Sequence, residues 1–180
     1  MLFRSQTIIK TDQGELAFQE YFVKYQCSPK VKKISNVGCE TAEVPIYLKE
    51  LINKNKFLGV IICPSNPYLS VDPILSINEI KTFLLETDIP ILAVSPIIAN
   101  DSIKGPTSKI MREMNIDPSV ESIAQHYSGL IDVLVIDHKD TNYQLITDSM
   151  TLVADSIYMS NSEEKIRSEE RRVGKECRSR

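Results

Sequence analysis

Glycine-rich phosphate loops are missing from this chain. None of its 180 residues form a GxGxxG or GxxxxGK stretch, and six glycines leave little material for one. A backbone cradle of the dinucleotide or P-loop kind therefore has no carrier here. Histidine is almost absent too: His126 and His138 are the only two, too few for a histidine-based zinc site. Cys27, Cys39, Cys63 and Cys177 show no CxxC spacing, which fits a reducing cytoplasm better than a disulfide framework. Cys63 reads as a small apolar side chain at a strand end. No apolar run approaches the length of a membrane span, and no secretory signal is visible. A net charge of −3 leaves no excess of positive charge for nucleic acid or an anionic membrane surface. No Ser or Cys sits on a nucleophile-elbow pattern, so covalent catalysis has no support.

What is present is organised around Leu58–Pro73. An unbroken apolar run stops at Pro64 and reads as a strand buried on both faces. Pro64, Pro67 and Pro73 then stiffen a polar loop holding Ser65, Asn66 and Ser70. In open parallel sheets, ligands bind beyond the carboxyl ends of the strands, so this loop is a candidate binding wall. Ile89–Pro96, followed by Ile103–Pro106, repeats the form. Ser95 ends that second strand. Lys104 and Gly105 precede a helix start, a combination suited to a phosphate or diphosphate.

Elsewhere, Thr7–Lys10 is a short strand, and Thr11 and Asp12 lie in a turn placed to cap a helix over Leu16–Val23. Asp12 could equally meet a metal or a hydroxyl. Glu20 falls in the same apolar stretch. Val31–Ile34 is a lysine-bearing strand expected at a sheet edge. Val44–Asn53, Ile77–Leu85, Thr107–Met114 and a segment opening at Asp117-Pro118 have helical spacing. Leu130–Ile136 is a strand that ends at Asp137-His138. Leu145-Ile146 is expected as a last short strand and Met150–Met159 as a last helix. Strands alternating with helices give an α/β, Rossmann-like, mostly parallel sheet with helices on both faces. His126-Tyr127 falls at a helix end, where a histidine complements the dipole or takes part in acid–base work.

Twelve of the eighteen residues from Glu163 to Arg180 are charged, too many for a packed core. Residues 1–5 and 163–180 look foreign to the gene, which leaves 6–162 as the domain.

Taken together, Thr11–Val23 (TDQGELAFQEYFV), Cys63–Leu75 (CPSNPYLSVDPIL), Ala93–Ile98 with Ile103–Pro106, Ala124–Tyr127 (AQHY), Val135–His138 and Thr147–Met150 resemble the blocks of the 2-phospho-L-lactate transferase family of coenzyme F-420 biosynthesis, in the same order. The resemblance implies transfer of a phospholactyl, phosphoenolpyruvyl or phosphoglyceryl group from a guanosine-diphosphate-linked donor to the hydroxyl of the deazaflavin FO. GMP leaves, magnesium is the cofactor, and the full-length protein is expected to be a cytoplasmic homodimer. It further implies that Thr11, Asp12, Ser65, Asn66, Ser70, Ser95, Lys104 and Gly105 serve in substrate binding. Two departures stand out. Ala99-Asn100 replaces a glycine pair, and the family's amino-terminal strand and glycine-rich loop have no counterpart. The expectation is a carboxy-terminal part that is inactive alone, with the main metal ligands outside it. A non-catalytic nucleotide-binding module is the other function compatible with these residues.

Overall fold

The computed structural model describes residues 5–54, 56–102, 105–141, 150–155 and 157. Among them the chain forms an α/β fold with a parallel sheet, antiparallel sheets and flanking helices.

The first unit is antiparallel. β1 (Gln6–Thr11), β2 (Gly14–Ala17) and β3 (Val31–Val37) lie in the order β2-β1-β3. Of the helix expected over Leu16–Val23, Leu16 and Ala17 belong to β2 and the chain is helical from Phe18 onward. Gly14, at φ 117°, makes the tight return, and Thr11 Oγ1 donates to its carbonyl at 2.8 Å. Ile9 then faces Leu16 on one side and Ile34 on the other, which fixes the register. The helical part includes a π-helical turn, Glu20–Lys24, that drives Tyr21 into the core. The expected edge position of Val31–Ile34 is correct, because β3 ends this sheet.

The second sheet is wholly parallel: β4 (Val60–Ile62), β5 (Ile91–Val94), β8 (Val133–Asp137) and β9 (Thr151–Asp155), side by side in chain order. Between β5 and β8 a two-stranded ribbon is made by β6 (Ile97–Ile98) and β7 (Asp101–Ser102). The helices are α1 (Ile46–Asn53), α2 (Asp72–Leu75), α3 (Asn78–Glu86), α4 (Thr107–Glu113) and α5 (Val120–His126). α1, α2, α3 and α4 start without a side-chain cap. Ser119, not Asp117, caps α5, its Oγ accepting the Ser122 N–H at 3.2 Å. Asn115, at φ 60°, ends α4 as its type allows.

Two further expectations are corrected. β4 is not buried on both faces: it pairs only with β5, and Leu58 and Ile61 are 95% and 69% exposed. An apolar run alone cannot say whether both flanks are occupied. Within the helix expected over Met150–Met159, Thr151–Asp155 is β9, whose Thr151 N–H donates to Asp132 O at 2.8 Å as the strand zips onto β8, while residues 156, 158 and 159 lie outside the described residues. The strand expected at Leu145-Ile146 lies outside the described residues.

One apolar cluster joins the two sheets, running from Ile9, Tyr21 and Val31 through Ile110 and Met111 to Ile91, Ala93 and Leu134. A polar clasp reinforces it. Glu113 on α4 accepts the Val31 N–H at 2.9 Å and pairs with Lys109 at 2.7 Å. Lys109 also reaches the Pro29 carbonyl at 3.2 Å and the Tyr21 hydroxyl at 3.4 Å. Among the described residues no helix is long and apolar enough to cross a membrane.

Candidate functional site

The carboxyl ends of the parallel strands carry the polar side chains of interest. Beyond β4 the chain passes through Cys63–Ser65 to Asn66. Its Oδ1 accepts the N–H groups of Tyr68 and Leu69, both at 3.0 Å. Two donors on one atom settle which end of the amide is oxygen. The Asn66 Nδ2 is buried without a hydrogen-bond partner. The stretch expected to be a stiff loop is thus a second π-helical turn, Pro67–Val71, running straight into α2. π-turns are rare and concentrate at functional sites. Both of those described here fall in motif blocks, and each buries a tyrosine, Tyr21 or Tyr68.

Ser65 and Ser70 line a groove of about 420 Å³ beside β4. Most of its wall is apolar, including Val60, Ile62, Ile74, Leu75 and Phe83. A pocket of that size and polarity accepts a flat ring system more readily than a bare phosphate.

The other candidates lie apart from that groove. Ser95 is fully buried, and its hydroxyl is used locally, donating to Ile97 O at 2.9 Å and accepting from Ile97 N at 3.1 Å. Thr11 is buried in the hairpin turn, bonded to Gly14 O and Gln13 N. Asp12 is exposed and accepts the Lys30 N–H at 2.9 Å, so it ties the turn to β3 and caps no helix. Gly105, at φ 72°, accepts from Ser102 Oγ at 3.2 Å just before α4. Lys104 lies outside the described residues. Among the described residues no group of three or more His, Cys, Asp or Glu is arranged to hold a metal ion.

Local patterns did not announce two pairings. His126 Nε2 lies 2.8 Å from Asp72 Oδ1, joining the AQHY block to the end of the SNPYLSV block. Both side chains are largely buried, and the Tyr68 and Tyr127 rings stand edge-on to the imidazole, each with centroids 5.0 Å away. Burial, helped by Asp72, pushes the Tyr68 hydroxyl up to about 12, and burial likewise raises Tyr127. These phenols stay neutral throughout the physiological range. The second pairing is Asp140, buried beyond β8, with the Ala99 N–H in the ribbon turn. The signal for both was a charged residue beside a motif block, but nothing local named its partner.

A family profile described as "2-phospho-L-lactate transferase CofD" matches residues 2–176. The chain belongs to the CofD family. Relatives include a 2-phospho-L-lactate transferase from Methanocaldococcus jannaschii, 40% identical over 152 residues, covering 84% of this chain and 47% of that protein. The 2-phospho-L-lactate transferase of Methanopyrus kandleri is 38% identical, covering 76% and 44%. A phosphoenolpyruvate transferase of Streptomyces griseus is 31% identical, covering 73% and 42%. The chain thus spans less than half the length of these relatives. Among solved structures, a UPF0052-family protein from Bacillus halodurans superposes with TM-score 0.56 at 13% identity, over 92% of this chain and 57% of that one, a likeness of fold. This CofD-family chain therefore belongs to a family of transferases.

Proposed function

We propose that this chain supplies the donor-holding wall of a transferase that moves a 2-phospholactyl, phosphoenolpyruvyl or phosphoglyceryl group from a guanosine-diphosphate-linked donor to the hydroxyl of the deazaflavin FO, with GMP as leaving group. The observation that carries this is the Asn66-capped turn at the carboxyl end of β4, with Ser65 and Ser70 on an apolar groove beside it. Apolar walls suit the purine face, and the two hydroxyls suit its polar edge or the ribose. FO supplies the attacking oxygen, so the protein's work is to hold donor and alcohol in line and to balance charge. The metal the family is expected to use would be held by residues other than those described here.

The test is calorimetric titration of GDP into the purified chain. Binding that Ser65→Ala and Ser70→Ala weaken several-fold supports the reading. No binding, or binding indifferent to both changes, sinks it. A second assay follows GMP release from the donor with FO and magnesium. The chain alone is expected to release none, and measurable release would overturn that expectation.

A further inference from the structure

The AQHY block has no place in the groove, yet it is tied to the turn that carries the groove's hydroxyls. Asp72 closes the π-turn: its own N–H donates to Pro67 O, the last bond of that turn. At the other end, Asn66 O accepts from Ser70 N at 3.0 Å and from Val71 N at 3.3 Å. A π-turn packs an extra residue into each loop of helix and is intrinsically less favoured than an α-turn. Something outside it must therefore hold it. The one side-chain bond from Asp72 that the structure records outside the turn goes to His126, the last residue of α5. The imidazole is itself fixed edge-on between Tyr68 and Tyr127. Tyr68 belongs to the turn, so His126 grips it twice, through a hydrogen bond and through a ring contact.

We infer that His126 is a positioning residue: acting through Asp72, it latches the Pro67–Val71 turn in its π form and so sets Ser65 and Ser70 in the groove. The residue touches no ligand. It acts along a continuous chain of contacts, His126 to Asp72, to the turn, to the cap at Asn66 and then to Ser65. Breaking the latch lets the turn fluctuate locally while the sheet stays intact, because neither side chain contributes to the β5–β8 ladder. The ligand part of this inference rests on the donor-wall reading above. The latch itself does not.

The test uses the purified chain and three variants. H126F keeps a ring beside the tyrosines and removes the donor, H126Q keeps a donor, and Asp72→Ala removes the acceptor. Native-state hydrogen exchange is read amide by amide. In H126F and Asp72→Ala, the amides of Ser70, Val71 and Asp72 should exchange about tenfold faster, while those of Ala93 and Val94 keep their rates. H126Q should stay within about threefold of the unaltered chain, since a side-chain amide can still donate to the carboxylate. GDP affinity should fall about tenfold in H126F and recover in H126Q. Unchanged exchange at Ser70–Asp72, or acceleration spread evenly over all protected amides, overturns the latch. Local acceleration with unchanged GDP affinity overturns its link to the groove. If the unaltered chain binds no GDP, the donor-wall reading fails, and the exchange data still decide the latch. If H126F does not fold, Asp72→Ala against H126Q makes the same comparison.

Discussion

The Asp140 carboxylate takes the Ala99 N–H with both of its oxygens, at 2.9 and 3.2 Å, across 41 residues of sequence. The bond pins the β6–β7 turn to the end of β8. Burial, only partly offset by that N–H and reinforced by Asp137, holds the Asp140 carboxyl above the ordinary Asp range. The folded chain therefore keeps a proton that the unfolded chain has already released, from about pH 4 upward. Stability from this group falls as pH rises through that window to the raised folded value, and stays lost above it. Asp140→Asn cannot ionise and retains an acceptor for Ala99. The melting temperature of the variant minus that of the unaltered chain should become more positive between pH 4 and pH 7. A difference that is flat with pH, or that moves the other way, would refute the assignment.

Ala99 sits at φ 49° and Asn100 at φ 62°, consecutive left-handed residues in that same turn. Asn tolerates this conformation, whereas Ala pays about 1 kcal/mol for it. Ala99→Gly should stabilise the chain by roughly 0.5–1 kcal/mol, or about 2 °C in thermal melts. Asn100→Val should cost more than 1 kcal/mol, or roughly twice that shift downward, because a β-branched residue is poorly accommodated there.

Glu113 accepts the Val31 N–H and anchors Lys109 beside Tyr21. Glu113→Ala should destabilise by about 2 kcal/mol in urea unfolding, mostly from the stranded backbone donor. Glu113→Gln keeps an oxygen for Val31 and should lose less than half as much. Equal losses in the two variants would mean that the ion pair, and not the backbone bond, carries the effect.

Asn66 caps the turn after β4. Asn66→Ala should cost about 1 kcal/mol, and Asn66→Ser, which can still cap, only a few tenths. Asn66→Ser also removes the buried, unpartnered Nδ2, so a stability equal to or above that of the unaltered chain would show that this orphan donor is a net cost.

The parallel sheet could be read from periodicity. Val60–Ile62, Ile91–Val94 and Val133–Asp137 are short β-branched runs, and the helices between them show a clear apolar stripe. β9 was misread because Leu152-Val153-Ala154 is too short to separate a strand from a helix without knowing that β8 has an open flank. The hairpin at Gly14 was missed because Phe18, Tyr21 and Phe22 fit either periodicity. At the site, Ser65 and Ser70 line the groove beside β4. Thr11 and Ser95, by contrast, spend their hydroxyls on their own turns. The pairings that hold the turns, Asp72 with His126 and Asp140 with Ala99, span 54 and 41 residues, beyond the reach of any local pattern.

Among the described residues β4 has no strand on its second flank, and its outward Ile61 is mostly bare. Such a flank is a template for a neighbouring molecule's backbone, and fibrous or amorphous aggregation is its usual fate. Lys54 and Lys56 before the strand and Pro64 after it act as gatekeepers, since charge and proline next to an apolar strand slow that recruitment. Neutralising the two lysines, which take no part in the groove, should therefore lower the yield of soluble protein on expression.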